Sequence, residues 1–108
     1  MAEELAGTLV ERVAIEAFVS ARDDGGAEVG AWQDAGRSWA AIVPDGRGSS
    51  EGETRHARPR WRVTLRSKRP VGLTSRLLWR GAVLAVLAVE TDPRRADRVT
   101  LRCETRLR

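Results

Sequence analysis

The stretch Arg60-Trp61-Arg62-Val63-Thr64-Leu65-Arg66 alternates without interruption: Trp61, Val63 and Leu65 fall on one side, Arg60, Arg62, Thr64 and Arg66 on the other. Successive side chains of an extended chain point to opposite faces, so this period of two predicts a strand with one buried face and one wet, strongly cationic face. The pattern returns near the end of the chain. In residues 98–106 (RVTLRCETR), Val99, Leu101 and Cys103 share a face. The other tryptophans also sit in strand-like runs, Trp32 in EVGAWQDA, Trp39 in RSWAAIVP and Trp79 in RLLWRG, in a chain with no tyrosine and one phenylalanine. The four tryptophans outline a small all-β core. Trp39, Trp61 and Trp79 are expected in core or interface packing, because they share faces with Ala41, Val63 and Leu77. Trp32, between Ala31 and Gln33 near an exposed hairpin, is expected as an interface anchor.

Working outward, residues 11–19 read as a first strand with Val13, Ile15 and Ala17 inward and Arg12 and Glu16 outward. Arg22-Asp23-Asp24-Gly25-Gly26 reads as a hairpin turn, since Asp and Gly tolerate the backbone angles of a tight reversal. Residues 28–34 return as a second strand. Gly36 breaks the run, and residues 37–43 form a third strand stopped by Pro44. Residues 75–80 and 82–89 are two more strands about Gly81. The second is apolar throughout, as expected of a strand covered on both sides by the core or by a neighbouring subunit. Residues 90–97 turn around Asp92-Pro93 and lead into the last strand. Six or seven short, mostly antiparallel strands with few helix signals predict a small β-barrel or sandwich.

Residues 44–59 are the one long excursion, with three glycines, two serines and no large apolar residue. Such a segment adds little core and is read as a long flexible loop. Residues 1–8 read as a flexible arm. At 108 residues the chain forms a single domain, 1–108, able to bury a core without disulfides or metal. Its apolar runs are too short for a membrane span. The acidic start MAEELAGTLVER lacks the features of a signal peptide and predicts a cytosol-like compartment.

Net charge is +4. Residues 1–53 hold eleven acids against Arg12, Arg22, Arg37 and Arg47, a net of −7. Residues 54–108 hold fifteen bases against Glu90, Asp92, Asp97 and Glu104, a net of +11. Two arrangements are open: head-to-tail contacts between oppositely charged patches, or a fold that intermixes the halves into a neutral mosaic.

Reactive chemistry finds little to build on, and no cofactor is expected. One cysteine, Cys103, excludes an internal disulfide, and one histidine, His56, leaves a transition-metal site without ligands. Gly46-Arg47-Gly48-Ser49-Ser50 lacks the Gly-Lys-Ser/Thr ending of a phosphate loop. Asp45, Ser49 and His56 share one loop with nothing to hold them as a triad. The chain is read as a non-enzyme.

The elements in order are Glu11-Arg12-Val13-Ala14-Ile15, Asp24-Gly25-Gly26, Trp32, Ser38-Trp39-Ala40-Ala41, a polar loop, Arg62-Val63-Thr64-Leu65-Arg66, Leu78-Trp79-Arg80-Gly81, residues 86–90, Asp92-Pro93-Arg94-Arg95 and Leu101-Arg102-Cys103. This ordered set, over about residues 9–106, resembles the head-tail joining proteins of tailed bacteriophages and gene transfer agents, the head-closure, stopper or adaptor group. The resemblance implies a β-barrel assembled as a hexameric or dodecameric ring in the neck of the particle, between a portal or adaptor ring and the tail terminator. Such rings close the channel on packaged double-stranded DNA and present the surface on which the tail docks. They assemble in the bacterial cytoplasm. A loop projecting into the channel acts as the gate in relatives. By position the counterpart here carries Asp45, Gly46, Arg47, Gly48, Ser49, Ser50, Arg55, His56 and Arg58. The expected interface residues are Trp32, Arg60, Arg62, Arg66, Lys68 and Arg69, facing an acidic adaptor or a neighbouring subunit. The alternative from the same residues is a small barrel that binds single-stranded nucleic acid along the cationic face of residues 60–66. Third comes an enzyme-associated interaction domain whose basic half docks a partner.

Overall fold

A computed structural model describes residues 9–45, 58–66, 68 and 71–106. Six strands appear among them: β1 (Glu11–Arg22), β2 (Glu28–Pro44), β3 (Arg60–Arg66), β4 (Ser75–Trp79), β5 (Ala82–Thr91) and β6 (Arg98–Arg106), with a 3-10 turn at Pro93–Arg95 before β6. They close into a barrel in the order β1-β2-β3-β6-β5-β4, every pair antiparallel. Closure removes the sheet edges within the barrel itself.

The alternation read from the sequence holds in β3 and β6. Val63, Leu65, Leu101 and Cys103 are buried, and they meet Val13, Ile15, Leu77, Leu84, Val86 and Val99 inside the barrel. Turn chemistry also follows the residues. Asp23 Oδ1 accepts hydrogen bonds from the amides of Gly25 (3.0 Å) and Ala27 (2.9 Å), and Gly26 takes φ of 87°. Arg80 and Gly81 both adopt positive φ, 51° and 81°, between the paired Trp79 and Ala82, as a two-residue hairpin requires.

Gly36 does not divide two strands. β2 runs unbroken for 17 residues through Pro44, so the long loop starts at Asp45. Gly36, at φ 108°, forms a β-bulge: Ala14 pairs with Arg37 and Glu16 with Asp34, so Ile15 faces the two residues Ala35 and Gly36. The extra residue moves the inward set from odd to even numbers. Ser38 and Ala40 become buried, and Trp39 turns outward. Trp39 is 51% exposed, so of the two expectations for it, core or interface packing, the core one falls. A second irregularity, at Leu87, interrupts the pairing of β5 with β6. Leu87 and Val89 are exposed, so β5 is not covered on both sides within one chain.

Strand lengths create the other main feature. β4 pairs with β1 only from Ala14 to Ala17, and a last backbone hydrogen bond runs from Phe18 N to Thr74 O (3.0 Å). Beyond that point β1 has only β2 beside it, paired through Arg22 and Glu28. Residues 18–32 therefore leave the barrel as a two-stranded arm. At about 3.3 Å per residue, β2 carries its ends roughly 50 Å apart, with the arm at one end and the long loop at the other.

Candidate functional site

Asp45 is the hub of the loop root. Its amide donates to Arg60 O (2.9 Å), and Thr105 N donates to Pro59 O (2.9 Å), so both ends of the loop are tied to the sheet. Arg102 Nε donates to Asp45 Oδ2 at 2.9 Å, and Arg62 Nη2 lies 3.6 Å from Oδ1. The Arg102 hydrogen bond holds the Asp45 carboxyl below its ordinary value; partial burial opposes it, and the charges of Arg102, Arg62 and Arg60 add to it. The guanidinium of Arg102 is raised in turn, first by the same bond. Arg62, Arg102 and Asp45 come together because Arg62 and Arg102 pair across β3 and β6 on the outer face.

The same end of the barrel is closed from inside by two tryptophans. Trp61 and Trp79 meet edge to face, with ring centroids 5.0 Å apart. Trp61 Nε1 donates to Thr105 Oγ1 (3.0 Å), and Trp79 Nε1 donates to Glu11 Oε1 (2.9 Å). Arg80 also donates to Glu11 and stacks over Trp79 at 5.3 Å. Both indoles thus bury their rings against the core and satisfy their N–H groups.

At the far end, the arm has two unlike faces. One carries Trp32, whose ring meets Phe18 edge to face at 5.2 Å and lies under the Arg76 guanidinium at 4.3 Å. Arg76 is in turn held by Glu16 at 2.7 Å. The other face continues the inward side of β1 and carries Ala17, Val19 and Ala21, opposite Gln33, Ala31 and Val29. Nothing in the described chain covers this second face: Val19 is 42% exposed and Val29 48%.

The expected site residues do not form one cluster. Asp45 and Arg58 flank the loop root; Gly46, Arg47, Gly48, Ser49, Ser50, Arg55 and His56 lie outside the described residues, as does Arg69. Arg60 and Arg62 stand beside the root, where Arg60 Nε lies 3.5 Å from Glu104. Arg66 and Lys68 are at the opposite end of β3, and Trp32 is on the arm. Sequence reading misses Arg102, Glu11 and Arg76. Arg102 is legible as the outward residue between Leu101 and Cys103. Glu11 and Arg76 act through strand pairings that no local pattern encodes.

The ion pairs also bear on the two charge arrangements. Acids of the first half reach bases of the second: Glu11 to Arg80 (3.1 Å), Glu16 to Arg76 and Asp45 to Arg102. Glu104 lies 3.2 Å from Arg106, and Asp97 3.3 Å from Arg98. The two halves are thus intermixed at these points, while Asp23, Asp24 and Glu28 stay together at the arm tip. The arginine-rich wall is substantially neutralised within the chain.

Among the described residues there is no group of three or more His, Cys, Asp or Glu able to hold a metal. No helix among them is long and apolar enough to cross a membrane. Cys103 is buried, and burial pushes its thiol up to about 12, which keeps it protonated at neutral pH. A closed six-stranded barrel with a projecting arm, several of its charged side chains paired with one another, offers surfaces for structural contact. The sequence belongs to the phage head completion protein family, which it matches over residues 5–106. Its role is accordingly structural, as a head completion component of a phage-type particle. The fold is similar to the solution structure of protein SF1141 from Shigella flexneri 2a, with a TM-score of 0.72 and 22% identity over 94% of this chain and 96% of that one. It is also similar to a chain in the virion of a native gene transfer agent particle, with a TM-score of 0.64 and 20% identity over 86% of this chain and 90% of that one. No curated protein matches significantly.

Proposed function

We propose that this chain is the subunit of a hexameric or dodecameric ring in the neck of a tailed phage or gene transfer agent particle, assembled in the bacterial cytoplasm. The ring sits between a portal or adaptor ring and the tail terminator, closes the DNA channel after packaging and gives the tail its docking surface. The family match along nearly the whole chain carries this reading. The likeness to a chain of a gene transfer agent virion supports a particle of either kind.

The loop rooted at Asp45 and Arg58 is the channel gate. Its support is that both ends are tied to one end of the barrel, which Trp61 and Trp79 close beneath them. The self-neutralised wall also suits a channel that double-stranded DNA must pass. Each phosphate neutralised by a protein cation adds affinity, so a wall of unpaired arginines would retard passage. The same pairing speaks against a barrel that grips single-stranded nucleic acid along residues 60–66. Trp32, Arg60, Arg62, Arg66, Lys68 and Arg69 are assigned to protein contacts.

Deletion of the gene in the producing bacterium, followed by electron microscopy of the particles, tests the reading. Empty or leaking heads with separate tails are expected. Intact, tailed, DNA-filled particles would overturn it.

A further inference from the structure

We propose that the arm of one subunit docks by its apolar face into a groove beside Trp39 on a second copy of this chain. This rests on the connector reading and names the surface a ring needs. Within residues 18–32 the arm face is Val19, Ala21, Val29 and Ala31, all apolar, with Gln33 at its base, and its two valines are nearly half exposed. A two-stranded hairpin is marginal in water by itself, so such a face calls for cover. The opposite face is already braced. The Phe18 ring lies over Gly30, where a Cβ would overlap it, and Trp32, Arg76 and Glu16 stack behind. Ser20 Oγ donates to Glu28 across the strands at 2.7 Å. The arm is thus held straight before it meets a partner, which lowers the cost of docking.

The receiving groove, of about 470 Å³, is lined by Leu9, Val10, Trp39 and Arg66. Val10 is 68% exposed, and Arg12 stacks on the Trp39 ring at 4.9 Å. The groove is therefore apolar with a cationic rim. The arm tip supplies the complement, with Asp23, Asp24 and Glu28 against Arg22.

Geometry makes the occupant a second copy. Arm face and Trp39 lie on one continuous strand, β2, but on opposite sides of the sheet, so an arm cannot fold back into its own groove. Two different patches that fit each other make a heterologous contact, which closes into a ring when the rotation allows.

The test replaces Val19 and Val29 together by aspartate in the full chain. Both positions are exposed, so the purified variant is expected to keep the circular dichroism and melting temperature of the parent while heads lose the ring. Normal tailed particles would overturn the proposal. A ring retained on heads that lack tails would also overturn it, because the arm would then serve the tail. A second variant, Val10→Cys with Val19→Cys, reads the contact directly in assembled particles, since the native Cys103 is buried. Oxidation should give a ladder of chain multiples from the double variant and monomer from each single one. Monomer throughout, or dimer from Val19→Cys alone, would overturn the proposal. If instead gene deletion leaves particles intact, the connector reading itself fails.

Discussion

Barrel and arm are made from the same two strands, yet one side of β1 has opposite fates along its length. Val13 and Ile15 are 1% and 0% exposed, whereas Val19, two pleats further on the same side, is 42% exposed. Nothing changes in the alternation between them. The neighbour is what changes: β4 accompanies β1 only as far as Ala17, and the sheet can no longer curl over the residues beyond it. Period two states which residues share a face. Whether that face is covered depends on the lengths of strands far away in sequence.

The sharpest way to break this comparison is to truncate one side chain on each part. Leu77 is fully buried, and Leu77→Ala should cost ~2–5 kcal/mol in denaturant unfolding of the isolated subunit, through lost burial and the cavity left behind. Val19→Ala should stay within about 0.5 kcal/mol, as for a surface change. Comparable losses would mean that the arm is as tightly integrated as the barrel.

The two glycines of β2 sharpen the same contrast. Gly36 sits at φ 108° with open space around it, so Gly36→Ala meets backbone strain rather than a clash. It should lower barrel stability by about 1–3 kcal/mol. At Gly30 the obstacle is the end of a flexible ring. Gly30→Ala should displace Phe18 from the arm and change Trp32 fluorescence, with little shift in melting temperature. The reverse ranking would place the cooperative unit in the arm.

Legibility in the sequence divides along the same line. β3 and β6 are legible to the residue because each keeps one period from end to end, and the 22–26 turn because its Asp and Gly residues have few other uses. Trp39 is misplaced by alternation alone because one residue of bulge, at Gly36, inverts the parity of the rest of β2, and Gly reads equally well as a strand end. The cationic wall is half legible. Alternation puts Arg60, Arg62 and Arg66 outward correctly, but the acids that meet the first two, Glu104 at Arg60 and Asp45 at Arg62, are delivered by strand pairings that no local pattern encodes. The arm is invisible, since strand length beyond a partner has no local signature.

A smaller effect is expected at the indole cap. Trp79→Phe keeps the ring packing but removes the N–H that Glu11 accepts, and should cost ~1 kcal/mol. Combined with Glu11→Ala, which removes the accepting oxygen, the loss should fall short of the sum of the single losses, because both changes remove the same bond. Full additivity would mean that this bond contributes nothing to closing the loop end of the barrel.

The finest test concerns the loop root and is read as a function of pH. Asp45 in the folded chain titrates below its ordinary value of 3.8, chiefly through the hydrogen bond from Arg102. Because the folded value is the lower one, stability from the ionised carboxylate is fully present above pH 3.8 and is lost as pH falls through the folded value. Asp45→Asn keeps the shape but not the charge. Its stability deficit should therefore be constant near neutrality and shrink below pH 3.8 as the parent loses its own charge. Asp97, held low by Arg98, titrates in the same direction in both proteins and cancels from the difference. Amide exchange at Asp45, whose N–H donates to Arg60, reads the same event at the root itself. A deficit that persists undiminished in strong acid would mean that the backbone ties, not the arginine-held carboxylate, fix the loop to the barrel. The two ends of β2 would then differ only in packing and not in charge.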